Sequence, residues 1–150
     1  MGTRGFAAAA TAKLGAERTG VKSRTVSAIA VAALFVAARG AFAQDPAAGA
    51  RVFDKCRPCH QIGEGAQNLV GPVLNGVVGR PAGFFPGFRY SDANKNSGLV
   101  WDPPTLQVYL KNPQAQLPRT QMAFPGLASD VDIADVIAYL AQFGADGAKR

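Results

Sequence analysis

Apolar residues recur at helical spacing near the C-terminal end of the chain, and they predict its clearest helix. Ser129 and Asp130 are typical of the residues that cap a helix N-terminus and fill its first turn. The apolar positions that share one face of this helix are Ile133, Val136, Ile137, Leu140 and Ala141. We therefore predict an amphipathic helix that buries this face against the rest of the domain.

Two earlier helices are predicted from their N-terminal signatures. Asp45-Pro46 and Asp102-Pro103 each combine a capping side chain with a proline at the first helical position. The first helix runs toward Cys56, and the second ends before Asn112-Pro113, because proline disfavours continuation of a helix. Between them, residues 63–86 contain repeated Gly and Pro breaks and little periodicity, which predicts irregular loops. The fold class is therefore small, all-α and loop-rich.

The N-terminal part of the chain has the pattern of an export signal. Basic residues ending at Arg24 precede the apolar run 26–38, and Ala41-Phe42-Ala43 is a typical cleavage site. The run is shorter than the about 20 residues that a membrane span needs. We expect a signal peptide over residues 1–43, cleavage after Ala43 and a periplasmic domain over 44–150. A retained N-terminal anchor and a mitochondrial presequence are the alternatives.

The charge of the chain is concentrated in this leader. The 150 residues have a formal charge of +6, but six of the 16 basic and one of the ten acidic residues precede position 44. Ten basic and nine acidic residues remain, so the domain itself carries about +1 and gives no electrostatic reason to bind nucleic acid. A domain of this size has a thin apolar core, and we expect a cofactor to contribute buried surface.

The sequence Cys56-Arg57-Pro58-Cys59-His60 is the attachment motif of c-type haem. Two thiols at this spacing can each form a thioether to one edge of the porphyrin, while the adjacent imidazole lies under the iron. A zinc site would need four good ligands, and the chain has two cysteines and one histidine in total. A thiol-disulfide oxidoreductase is the other competing interpretation, and it expects a βαβ context, which the flanking sequence lacks.

In a haem protein with this motif, the histidine is one protein ligand of the iron, and a second protein ligand decides between electron transfer and binding of small molecules. His60 is the only histidine, and Met122 is the only methionine after the leader. Met122 lies outside any helical pattern, between Pro118 and Pro125. A methionine is often a core residue that fills gaps, yet this position also suits an axial ligand.

Short motifs along the whole of residues 44–150 carry a resemblance to a known family. Beyond the haem motif they are Gly71-Pro72-x-Leu74, Gly79-Arg80, Tyr90-Ser91-Asp92-Ala93-Asn94-Lys95-Asn96, Trp101, Thr105-Leu106-x-x-Tyr109-Leu110, Asn112-Pro113, Met122-x-Phe124 and Ile137-Ala138-Tyr139-Leu140. With them the chain resembles the class I cytochromes c, specifically the mitochondrial cytochrome c and bacterial cytochrome c2 group. The resemblance implies a small all-α cytochrome c fold, with helices and loops wrapped around one haem c attached through Cys56 and Cys59.

The resemblance also implies roles for individual residues around that haem. His60 and Met122 would be the two iron ligands, with the Pro72 carbonyl accepting a hydrogen bond from His60. Tyr90 and Trp101 would donate to a buried haem propionate, and Arg80 would supply the opposite charge. The cluster expected on the Met122 side of the haem consists of Asn94, Tyr109 and Thr120. Gly49, Phe53, Val136 and Tyr139 would form the crossing of the first and last helices.

Three departures from the family pattern stand out. Position 68 is Asn where many members of the family have a second His. The interval from Gly49 to Cys56 is one residue shorter than in mitochondrial members, which puts the alignment of Phe53 in doubt. The lysine ring that guides mitochondrial cytochrome c is thin, since positions that are often lysine hold Gln114, Gln121, Ala128 and Ser129. Complementary charge mainly accelerates encounter, so we expect a weak dependence on salt.

The resemblance predicts a soluble, monomeric, non-enzymatic electron carrier of a respiratory or photosynthetic chain. Its partners would be a cytochrome bc1-type donor and an oxidase or reaction-centre acceptor, with no nucleic acid and no stable membrane insertion. The competing function is a haem peroxidase or ligand sensor with a labile sixth ligand. No constellation of His, Arg and acid suited to peroxide cleavage is evident, because the one histidine is already used.

Overall fold

A computed structural model describes residues 44–150, which contain five helices. The elements are α1 (Pro46–Phe53), α2 (Asp92–Lys95), α3 (Pro103–Lys111), α4 (Pro113–Gln116) and α5 (Asp130–Ala141). The predicted signal peptide and its cleavage site lie outside the described residues. Within 44–150, β-pairing is limited to two isolated bridges, Pro81 with Val100 and Phe143 with Lys149.

The three long helices begin at the predicted caps. The Asp45 carboxylate accepts from Ala47 N at 2.8 Å and opens α1, and Asp102 and Ser129 cap α3 and α5 in the same way. The short helices α2 and α4 were not predicted. Each has only four residues, too few to show a hydrophobic period, and each is opened by a side-chain cap, Ser91 and Asn112 respectively.

The centre of the fold is the crossing of α1 and α5. Gly49 permits it, because a Cβ at this position would collide with the Asp135 carbonyl of α5. Phe53 is 1% exposed, and its ring centroid lies 5.3 Å from that of Tyr139. The crossing implied by the resemblance is therefore present, and the shorter interval before Cys56 does not displace Phe53 from it. Asp135 also accepts from Asp45 N at 2.8 Å, which fixes the start of the domain to α5.

The loop that connects α4 to α5 is fastened to the end of α3. Leu127 N donates to Leu110 O at 2.8 Å, and Lys111 Nζ donates to Ala128 O at 2.9 Å. Lys111 also contacts the Asp130 carboxylate at 2.6 Å. These bonds hold the C-terminal end of the segment that carries Met122 against the end of α3. Among the described helices, none has the length and apolar character needed to cross a bilayer.

Candidate haem site

The two cysteines and the histidine lie on a tight turn that continues α1. Cys56 N donates to Phe53 O at 2.8 Å, so the chain keeps a helical path beyond the end of the helix. Cys59 N and His60 N then both donate to Cys56 O, at 3.1 and 2.9 Å. The turn holds both thiols and the imidazole within one five-residue stretch, 56–60, directly after α1, and neither thiol forms a disulfide.

The imidazole of His60 is oriented by the backbone of the next loop. Its Nδ1 lies 2.7 Å from Pro72 O, which is the contact that the family resemblance implies. A carbonyl can only accept, so Nδ1 carries the proton and Nε2 keeps its lone pair. Gly71 leaves room for this ring, since a Cβ there would collide with it. Burial lowers the pKa of His60, and the neutral form that ligates a metal is therefore favoured.

The surroundings of Cys56 do not suit thiol-disulfide exchange. Burial raises the pKa of its thiol to about 11, and the neighbouring Cys59 acts in the same direction while Lys55 opposes it. Redox-active thiols at this spacing need a lowered pKa, because the thiolate is the nucleophile. The helical surroundings also lack the expected βαβ unit. Zinc finds no support either, because residues 44–150 contain no group of three or more His, Cys, Asp or Glu side chains able to hold a metal.

Met122 is held by three hydrogen bonds. Tyr109 Oη donates to Met122 Sδ at 3.3 Å, and Gln114 Nε2 donates to Met122 O at 2.9 Å. Met122 N donates to Thr120 Oγ1 at 3.4 Å. The sulfur, the carbonyl and the amide of Met122 each form a hydrogen bond. The thioether therefore has a defined position, unlike that of a methionine that only fills a gap in the core.

The polar cluster expected beside Met122 is present. Asn94 Nδ2 donates to Thr120 Oγ1 at 3.2 Å, and Thr120 is buried. Burial raises the pKa of Tyr109, and a hydrogen bond with the Thr120 side chain opposes that rise. A hydroxyl both donates and accepts, so Thr120 can donate to Tyr109 while Tyr109 donates to the sulfur. Asn94, Thr120 and Tyr109 thus form one chain of bonds that ends on Met122.

Arg80 is a partly buried cation with one donor unsatisfied. Its two terminal nitrogens donate to Asn75 O at 2.8 Å and Val73 O at 3.2 Å, and its guanidinium lies 4.9 Å from the centroid of the Phe85 ring. Nε is buried and has no partner. Burial lowers the pKa of Arg80, and nearby Tyr90 opposes this. A buried unpaired donor on a cation fits an anionic acceptor such as a haem propionate.

Tyr90 and Trp101 lie next to Arg80. Trp101 N donates to Arg80 O at 2.9 Å, which pairs the two segments, and Trp101 is buried against the Tyr109 ring with centroids 4.6 Å apart. Tyr90 Oη accepts from Phe85 N at 3.3 Å, and burial raises its pKa. The structure therefore brings together the three residues for which the resemblance implies contact with a propionate, and the residues present fit a haem.

Three residues that organise the site were not identified from the sequence. Gln114 positions Met122, as described above. Buried Asn75 brackets the turn after His60, because its side chain bonds both Gly63 N at 2.8 Å and Gly63 O at 3.0 Å. Asn68 accepts from Val73 N at 2.9 Å and donates to a carbonyl of the following loop. For Asn68 and Asn75 the only signal in the sequence is an asparagine near glycines, which does not identify its partner, and for Gln114 the sequence offers no signal.

The cations nearest the haem motif are paired with acids. Arg57 contacts Asp54 at 2.6 Å, and Lys55 lies 3.9 Å from Asp132. All four side chains are substantially exposed, so these pairs stabilise the fold little. Their effect is to remove net charge from the surface around the motif.

Comparison with known proteins gives consistent matches. The sequence model of the cytochrome c family matches residues 46–144. Cytochrome c2 of Rhodoplanes tepidamans is 55% identical over 107 residues, which cover 71% of this chain and 100% of that protein. Cytochrome c2 of Rhodoblastus acidophilus is 57% identical over 107 residues, which again cover 71% of this chain and 100% of that protein. The solved structure of cytochrome c2 from Rhodospirillum centenum matches with a TM-score of 0.63 and 42% identity, over 67% of this chain and 98% of that one. The resemblance and the all-α fold predicted from the sequence are confirmed.

Proposed function

Because the chain belongs to the cytochrome c family, we propose that it is a soluble periplasmic carrier of single electrons whose iron is bound by His60 and Met122. At the level of the family the protein is an electron-carrier cytochrome and not an enzyme. It carries one haem c attached through Cys56 and Cys59, both of which lie in the matched range. When bound, this group supplies an iron that takes up and releases one electron.

The observation that carries the proposal is the pair of positioned ligand atoms. His60 keeps Nε2 available because Nδ1 donates to Pro72 O. Met122 has its sulfur oriented by Tyr109 and its carbonyl held by Gln114. His60 and Met122 would then both ligate the haem iron, which would leave no position on the iron open for a substrate. That arrangement suits electron transfer and disfavours the peroxidase or sensor.

The remaining site residues would bind the haem and hold the Met122 ligand in place. Arg80, Tyr90 and Trp101 would neutralise and hydrogen-bond a propionate, which must be paired to lie out of water. Asn94, Tyr109 and Thr120 would fix the Met122 ligand and exclude solvent from it. A methionine ligand and an apolar enclosure both favour the reduced form, so we expect a high midpoint potential.

The leader and the charge of the domain support the proposed location and partners. The export pattern ends at Ala43, and the 107 residues that follow equal in number the span matched by the two relatives. A domain charge of about +1 is compatible with weak, transient encounters. We propose a monomer that accepts electrons from a cytochrome bc1-type donor and passes them to a terminal oxidase or a photosynthetic reaction centre.

The test uses the holoprotein exported from its own leader in a bacterium that attaches haem c. We expect a mature mass of residues 44–150 plus one haem, a reversible one-electron titration and oxidation of the ferrous protein by a purified terminal oxidase or reaction centre. The ferrous protein should not bind carbon monoxide. Rapid binding of carbon monoxide together with peroxide turnover would instead establish the enzymatic alternative and refute the carrier.

A further inference from the structure

The chain continues beyond α5 into a turn that folds back on the end of the helix. Phe143 pairs with Lys149 in an isolated antiparallel bridge, and Arg150 N donates to Gln142 O at 2.8 Å. We call residues 143–150 the C-terminal segment. Most of it lies beyond residue 144, where the match to the family model ends. The family match therefore does not account for the contacts that this segment makes.

The C-terminal segment packs on the loop that follows the haem motif. Gly76 N donates to Phe143 O at 3.3 Å, which joins the loop to the end of α5. Ala145 lies against Gly76, because a Cβ on this glycine would be 3.0 Å from Ala145 Cα. A Cβ on Gly63 would lie 3.9 Å from the ring of Phe143. Two separate points of the loop, Gly63 and Gly76, thus lie next to the segment.

Gly147 makes the closest of these contacts. It is buried, and a Cβ on it would collide with Gly63 O and lie 2.6 Å from Asn75 Nδ2. These two atoms are the acceptor and the donor of one hydrogen bond, which is 3.0 Å long. Asn75 Oδ1 in turn accepts from Gly63 N at 2.8 Å. The segment can cover this pair of bonds because residue 147 has no side chain.

Asn75 connects the C-terminal segment to Arg80. Its backbone O accepts from Arg80 Nη1 at 2.8 Å, and Val73 O accepts from Arg80 Nη2 at 3.2 Å. Arg80 Nε is buried and has no partner, so the guanidinium keeps one donor for an anion. Asn75 is itself buried and held by Gly63, and its carbonyl therefore has a fixed position. The direction in which Arg80 presents its free donor depends on that position.

We propose that the C-terminal segment is a positioning element, which acts through Asn75 to orient the guanidinium of Arg80 toward a haem propionate. This inference rests on the proposed function and adds a distant part of the chain to its site. A positive charge near the haem favours the ferrous state, because it repels the additional positive charge of the ferric iron. A displaced guanidinium would be better hydrated and would favour the ferrous state less.

The test compares alanine at two glycines of the holoprotein. Gly147→Ala places a Cβ against Asn75 and Gly63. Gly98→Ala is the matched control, because Gly98 has a φ of +66° and Gly147 one of +83°, but a Cβ on Gly98 meets nothing within 4 Å. Both variants carry a side chain at positive φ, so their difference isolates the collision. Asn75→Ala removes the link without adding an atom, and it tests the same step if Gly147→Ala does not fold.

Amide hydrogen exchange of the ferrous holoprotein, followed by NMR, measures the contact. In Gly147→Ala and in Asn75→Ala, the Gly63 amide should exchange about tenfold faster than in wild type, the effect of weakening one hydrogen bond. The Leu127 amide, which donates to Leu110 O on α3, should change much less. Gly98→Ala should leave the Gly63 amide as in wild type. An equal rise at both amides would show only a loss of global stability and would overturn the positioning role.

The midpoint potential measures the link to Arg80. At a fixed applied potential, Gly147→Ala should lower the ferrous-to-ferric ratio about twofold, because a small displacement of a partly buried charge changes only a fraction of its effect. Gly98→Ala should leave the ratio unchanged. In an Arg80→Gln background, Gly147→Ala should have no effect on the ratio, since residues that act through one another are not additive. A shift that persists without Arg80, or no shift in Gly147→Ala, would contradict the proposal.

The premise and the inference fail in different ways. A wild-type protein without a reversible one-electron titration would refute the carrier function. In a wild type that titrates normally, Gly63 exchange that is unchanged in both Gly147→Ala and Asn75→Ala would refute this inference alone.

Discussion

Replacing Tyr109 with phenylalanine should lower the midpoint potential by a predictable amount. The substitution removes the hydroxyl that donates to Met122 Sδ at 3.3 Å and keeps the ring that packs against Trp101. A donor on the sulfur withdraws electron density from it, so the bonded thioether stabilises the ferric state less than a free one does. A hydrogen bond contributes about 0.5–1.5 kcal/mol. Only the part of this energy that differs between the ferric and the ferrous protein shifts the potential, so at about 59 mV per tenfold change for one electron we expect a fall of up to about 60 mV.

The assay is a spectroelectrochemical titration of wild type and Tyr109→Phe side by side. Tyr139→Phe is the matched control, because Tyr139 is also a buried tyrosine but packs on α5 against Phe53 and Phe143. The control should leave the potential unchanged. A potential in Tyr109→Phe that equals wild type, or rises, would refute the reasoning that connects this hydroxyl to the sulfur.

Three further outcomes follow from the packing and the titrating groups. Gly49→Val should lower the free energy of unfolding by about 1–3 kcal/mol in urea titrations, because its side chain meets the backbone of α5, whereas exposed Ala47→Val should cost much less. Ser129→Ala removes the cap of α5 and should cost about 1 kcal/mol in the same assay; an unchanged midpoint would contradict the capping role. Burial raises the pKa of Tyr90 and of Tyr109. Just above pH 10, a tyrosine in the unfolded chain therefore ionises, because its pKa is about 10, while these two tyrosines stay protonated in the folded protein. Stability should therefore fall as pH rises above about 10, and thermal melts of Tyr90→Phe should show a shallower fall; equal slopes would count against a buried Tyr90.

The long helices were predictable because local sequence determines them. Asp45, Asp102 and Ser129 are caps whose partners lie two or three residues away, and the periodic face of α5 is visible in the sequence itself. The haem motif is likewise a local signal. The four-residue helices α2 and α4 were not predicted because each completes barely one turn, which is too short to show a hydrophobic period in the sequence. Capping and tertiary packing stabilise such short helices.

Contacts between distant segments were predictable only where the family resemblance supplied them. It implied the bond of His60 to Pro72 and the cluster around Thr120. It gave no indication that Gln114 holds the Met122 carbonyl or that Asn68 joins two loops. Such bonds depend on how the whole chain folds back on itself, and an amide side chain is compatible with many partners.

The central claim, an iron held from both sides by this chain, is tested most directly by adding carbon monoxide to ferrous Met122→Ala. Its neighbour Gln121→Ala serves as the control. We predict that Met122→Ala binds carbon monoxide, loses the weak far-red sulfur-to-iron absorption of the ferric protein and has a lower midpoint potential, while wild type and Gln121→Ala do not bind it. Met122→Ala that matches wild type in all three properties would contradict the account.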